Sequence, residues 1–172
     1  MIFLGPLRAE VYAASWFAAL GEPLTEGDRV DAKAYAGTEG VALVTSWREA
    51  EDFLKSAEAS LDWWNREEDE RKALLARAEA QYPKRALWTA LTELTTEAGD
   101  LVHGKAAMAA ARMGGAATAS IHVAAGAAAQ AIYQLAVARV AGETASLFES
   151  KFRLFAAGRW PLGVVGSTLV LF

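Results

Sequence analysis

Residues 114–138 read GGAATASIHVAAGAAAQAIYQLAVA, a stretch without a single formal charge. Three readings compete for it: a membrane span, a low-complexity linker, or a helix so closely surrounded that only small side chains fit. Length allows a span, at ~1.5 Å per residue against ~30 Å of hydrocarbon. Composition opposes it. Only Ile121, Val123, Ile132, Leu135 and Val137 favour lipid strongly, and His122, Gln130 and Gln134 together outweigh them. A linker is also a poor fit, because alanine is the strongest helix former. On a helical wheel Ile121, Ile132 and Leu135 point one way, while Val123, Val137 and Phe148 point nearly opposite. A helix apolar on all sides is buried on all sides. The sequence therefore predicts a central, close-packed helix running from this stretch to about residue 150, wrapped by charged outer helices. That cover can come from the same chain or from a second copy; a homodimer is the favoured expectation, since two-fold dimers are the commonest oligomers.

Working outward, Pro83 removes an amide and marks a boundary. A long helix is expected from residue 84 to about 113, with Leu87, Leu91, Leu94, Ala98, Leu101, Val102 and Met108 inward. Gly114-Gly115 ends it. Upstream, Ser46 and Glu49 form a capping box, followed by the stripe Trp47, Ala50, Leu54, Ala57, Leu61, Trp64. Glu68 and Arg71 break that stripe, and Asn65 with Glu68 offers a second capping box. A kink or a fresh helix near Asn65 is expected, with one uninterrupted rod as the alternative.

At the N-terminal end, Pro6 and Gly21 bracket a short helix over residues 6–20. Residues 29–35 and 41–45 flank AGTEG like a β-hairpin. At the C-terminal end the texture changes from alanine to Phe, Leu, Val and glycine. Residues 162–165 and 168–172 around Gly166-Ser167 read as a second hairpin, and Arg159-Trp160-Pro161-Leu162-Gly163 as the corner that brings it back, beside the 41–45 strand. The expected fold is a mostly α single domain over residues 1–172. It comprises the short helix, the 29–45 hairpin, a four-helix-type bundle over 46–150 with the Ala/Gly-rich helix at its centre, and a β-rich segment over 151–172.

Fifty-three per cent hydrophobic and 22% charged residues in 172 describe a folded chain with room for a sizeable core. A net charge of -4 gives no general attraction to nucleic acid or anionic lipid. The absence of cysteine removes disulfides, thiolate nucleophiles and sulfur-based metal sites, and fits a cytoplasmic location. The first residues lack a basic segment and Glu10 interrupts their apolar run, so a secretory leader is not expected.

The chemical vocabulary is thin. Glu93, Glu97 and Asp100 share a narrow helical sector with His103 at its edge, and Asp100-x-x-His103 echoes the carboxylate-x-x-His step of di-metal bundles. His122 is the only other histidine, and Gln130 and Gln134 could join it around a small polar pocket. Residues 99–106, GDLVHGKA, fall short of a phosphate-binding loop, because Ala106 replaces the hydroxyl residue and the context is helical. No hydrolase elbow or dinucleotide loop is present, and no cofactor is expected. Trp47, Trp64 and Trp88 fit core positions, leaving Trp63 and Trp160 as candidates for a contact surface with Arg159 and the acidic run Glu67, Glu68, Asp69 and Glu70. Two functions follow as expectations. The first is a non-catalytic, soluble interaction protein that binds a protein partner and itself. The alternative is a metal- or small-molecule-dependent activity at Glu93, Glu97, Asp100, His103 and His122.

Overall fold

The computed structural model describes residues 1–56 and 59–172. In chain order they form α1 (Gly5–Ala13), α2 (Glu26–Ala36), β1 (Gly40–Leu43), α3 (Trp47–Lys55), α4 (Leu61–Gln81), α5 (Lys84–Met113), α6 (Thr118–Val140), α7 (Leu147–Ala156), β2 (Pro161–Val165) and β3 (Thr168–Leu171). The fold is mostly α with a small three-stranded mixed sheet.

α5 and α6 pack along one another as an antiparallel hairpin. Gly114 and Gly115 turn the chain between them at φ of 75° and 78°, a conformation that a side chain would strain. α6 begins at Ala117 without a side-chain cap of its own. Glu51 of α3 supplies one, accepting from the Ala117 amide at 2.9 Å and the Ser120 hydroxyl at 2.7 Å. The Ala117 amide, and then Ser120, hold its carboxyl below the usual carboxylate range.

The all-round burial expected of α6 holds for its second half. From Ala131 to Val140 nearly every residue is buried, because α4 and α7 join α5 around it. In the first half only Ala124, Ala125 and Ala128 turn inward, and Val123 stays half exposed. α6 is the one described helix long and apolar enough to cross a bilayer, and 56% of its apolar window is buried inside the protein. It ends at Val140, with Gly142 in the left-handed region (φ 78°). α7 is therefore a separate helix, and residues 151–156 are helical rather than β.

Three further expectations need correction. The first helix ends at Ala13, and residues 14–20, expected to continue it, form a bend and turn instead. Residues 29–35 form a helix, not a strand: Thr25 and Asp28 make a reciprocal capping box, and Gly37 closes the helix in the left-handed conformation. The 41–45 region does form a strand, but no hairpin. β1 pairs in parallel with β3, Val41 opposite Leu169, so the two ends of the chain share one sheet as the C-terminal corner implied. The long stripe beginning at Trp47 breaks at Ser56 rather than near Asn65. Ser56 takes an extended backbone after α3, and Ser60 caps α4 by accepting from the Trp63 amide. The Ser60 amide also donates to the Val164 carbonyl of β2 at 2.7 Å, so strand pairing sets where α4 starts. Ala57, part of the expected stripe, lies outside the described residues.

The aromatic residues gather where the N-terminal turn, α3, α7 and the sheet meet. Phe17, Trp47, Phe155, Trp160 and Phe172 are all at most 2% exposed, with ring centroids 5.3–6.4 Å apart in edge-on or tilted pairs. Gly158 (φ 94°) lets the turn after α1 reach α7: a Cβ there would lie 2.5 Å from the Ala19 amide nitrogen.

Candidate functional site

Glu67 was read as part of an acidic surface, yet it is 3% exposed and points from α4 into the protein. Its Oε1 accepts from Lys151 Nζ at 2.6 Å and from Gln134 Nε2 at 2.7 Å, and its Oε2 accepts from Tyr35 Oη at 2.5 Å. Lys151 also donates to Gln134 Oε1 at 2.8 Å and lies 5.7 Å from the Tyr35 ring centroid. One carboxylate thus ties α2, α4, α6 and α7 together. Burial pushes the Lys151 ammonium below its ordinary range, with Glu67 opposing that shift. Burial first, and then the Glu67 charge, raises the Tyr35 phenol well above its usual value. All four residues are at most 5% exposed, so the chemistry of this cluster is that of a closed internal clamp.

That clamp has a pH signature. The folded state keeps the Tyr35 proton at pH values where the unfolded chain loses it, so the stability from this hydroxyl is complete below about pH 10 and lost above it. Tyr35→Phe should cost on the order of 1–2 kcal/mol at neutral pH, the worth of a buried bond to a carboxylate. The gap to the parent should narrow as pH rises past 10. Urea melts of both proteins from neutral to alkaline pH check this; a gap that widened instead would remove Tyr35 from the clamp.

The other acids of the run behave differently. Glu68 pairs with Arg71 at 2.6 Å on the same helix, Asp69 is exposed and Glu70 is half-buried. Arg159 and Trp160, candidates for a contact surface, are 1% and 2% exposed and belong to the interior. Arg159 donates to the carbonyls of Ala19, Glu22 and Pro23 at 2.6–2.7 Å and to Asp28 Oδ2 at 3.1 Å. Trp63 is half-buried against Tyr35. Trp64 and Trp88, assigned to the core, are instead 36% and 39% exposed. Residue spacing located the helical faces but not the neighbours that cover them.

The five-residue ligand set of the alternative reading does not assemble. Among the described residues no group of three or more His, Asp or Glu side chains is placed to hold a metal ion. Glu97 turns to α1, accepting from Arg8 Nε at 2.9 Å and Tyr12 Oη at 2.8 Å. The GDLVHGKA stretch is helical throughout. The two histidines do meet: His103 Nε2 lies 3.1 Å from His122 Nδ1 across the α5–α6 hairpin. Gln134, grouped with His122 in sequence, belongs to the Glu67 clamp.

Compared with protein-family models, curated proteins and solved structures, this chain has no match. Function therefore rests on the chain's own surface.

The most distinctive feature of that surface runs along α5. From Arg85 to Asp100 its outer side borders an open trough of about 710 Å³, with Trp88, Thr89, Thr92, Glu93, Thr96 and Glu97 between its basic and acidic ends. Beyond it, the His pair and the antiparallel register put Gly99 and Gly126 on neighbouring turns. A Cβ at either glycine would meet no atom within 4 Å. Glycine inside a helix costs about 1 kcal/mol relative to alanine, and no contact within the chain requires it at these positions.

Proposed function

We propose that this chain is a non-catalytic interaction protein that pairs with a second copy of itself along α5. The observation that carries the reading is the charge order of the trough. In an antiparallel pairing centred between Thr92 and Glu93, Arg85 stands opposite Asp100 of the second copy, Thr89 opposite Thr96, Thr92 opposite Glu93, and Trp88 opposite Glu97. The Arg85–Asp100 pair then recurs at both ends, as a two-fold interface requires, and electrostatic matching of this kind sets register. The half-exposed Trp88, which lines the trough, adds apolar area.

A charge swap tests this. Arg85→Asp and Asp100→Arg should each weaken self-association about tenfold by placing like charges together, and the double variant should recover it. Both side chains are exposed, so the monomer fold should survive. Sedimentation equilibrium is the measurement. A parent chain that stays monomeric up to millimolar concentration overturns the reading, as does a double variant no tighter than the singles.

A further inference from the structure

We propose that His103 and His122 form a two-imidazole clamp for a divalent cation of the copper, nickel or zinc class. Imidazole nitrogen is a preferred donor for these ions. Metal–nitrogen bonds of roughly 2.0–2.1 Å, spread at angles from square to tetrahedral, separate two adjacent donors by roughly 2.9–3.4 Å. The observed Nε2···Nδ1 distance of 3.1 Å falls in that window. The ring centroids are 4.9 Å apart and the planes 29° from parallel.

Both rings stand on helices whose spacing is fixed beneath them by the buried Val102, Ala106, Ala124 and Ala128. The donor pair is therefore organised before an ion arrives, and little freedom is lost on binding. Without an ion, one ring nitrogen donates a hydrogen bond to the other. With the ion between them, both facing nitrogens offer lone pairs, and each neutral ring carries its proton on the far nitrogen, Nδ1 of His103 and Nε2 of His122. Gly99 and Gly126, one turn away, leave open space for the waters that complete the coordination sphere. Asp100, on the preceding turn of α5, adds negative charge on the same stretch of helix. The two donors, His103 and His122, are not part of the self-pairing face.

The test is a titration of Cu(II) into the full chain without a histidine tag, followed by calorimetry and electron paramagnetic resonance. The expected result is one ion per chain with hyperfine coupling to two imidazole nitrogens. His103→Ala and His122→Ala should each lower the affinity on the order of a hundredfold, because the second donor then no longer acts at high effective concentration. Circular dichroism of the same variants checks that the fold is retained, as expected for exposed helical positions. Coupling to one imidazole in the parent, or affinity unchanged in both variants, overturns the proposal.

Discussion

Arg159→Leu should destabilise the protein by about 5 kcal/mol, enough to unfold much of it at physiological temperature. The side chain is 1% exposed and its charge is balanced by Asp28, itself 3% exposed. Three further bonds hold the carbonyls of Ala19, Glu22 and Pro23, so one guanidinium fastens the turn between α1 and α2 onto the end of α7. Leucine fills much of the volume but leaves a buried carboxylate and three carbonyls without that donor. Losing one partner of a buried pair costs ~3–5 kcal/mol, and stranded polar groups add to it. Asp28 also caps α2 through the Thr25 amide, so the loss reaches the start of that helix. Arg159→Lys should cost roughly half as much, because a single ammonium keeps the charge but cannot span acceptors arranged around a planar fork. Chemical denaturation gives both values; a leucine variant within about 1 kcal/mol of the parent would show that the turn is held by its apolar contacts alone.

Lys151→Met should lower stability by about 3–5 kcal/mol. Methionine is apolar and close to lysine in length, and the site is buried, so packing is largely kept. What is lost is the cation that balances Glu67. The companion Glu67→Gln should cost less, because Gln still offers an acceptor to the Tyr35 hydroxyl and Lys151, already pushed down by burial, gives up its proton more readily than a surface lysine. The double variant should then be more stable than Lys151→Met alone. A double-mutant cycle by urea unfolding measures the coupling. Additive losses would mean that the two groups do not share one clamp, contrary to their 2.6 Å contact.

Both variants act on residues that look ordinary in sequence. Lys151 lies in an amphipathic run where a snorkelling lysine is the usual expectation, and Glu67 lies among four acids that read as a solvated helix start. Nothing local marks either as buried, because each is enclosed by elements far away in the chain. The same holds for residues 29–35, whose β-like edges concealed a helix started by Thr25 and Asp28. For α4, the pairing of Ser60 with Val164 outweighed the competing cap at Asn65.

What the sequence determined by itself is the set of local choices: an uncharged alanine-rich helix, the break at Gly114-Gly115 before it, the C-terminal hairpin, and the corner at Arg159–Gly163. Those follow from propensity, periodicity and backbone sterics within a few residues. Only the tertiary structure decided which faces are covered. It buried the second half of α6 and left the first half open, drew Glu67, Arg159 and Trp160 inside, turned Glu97 away to α1, and set His103 against His122. Burial and pairing depend on contacts between segments distant in sequence, and the free energy of moving a charge out of water depends on what meets it there.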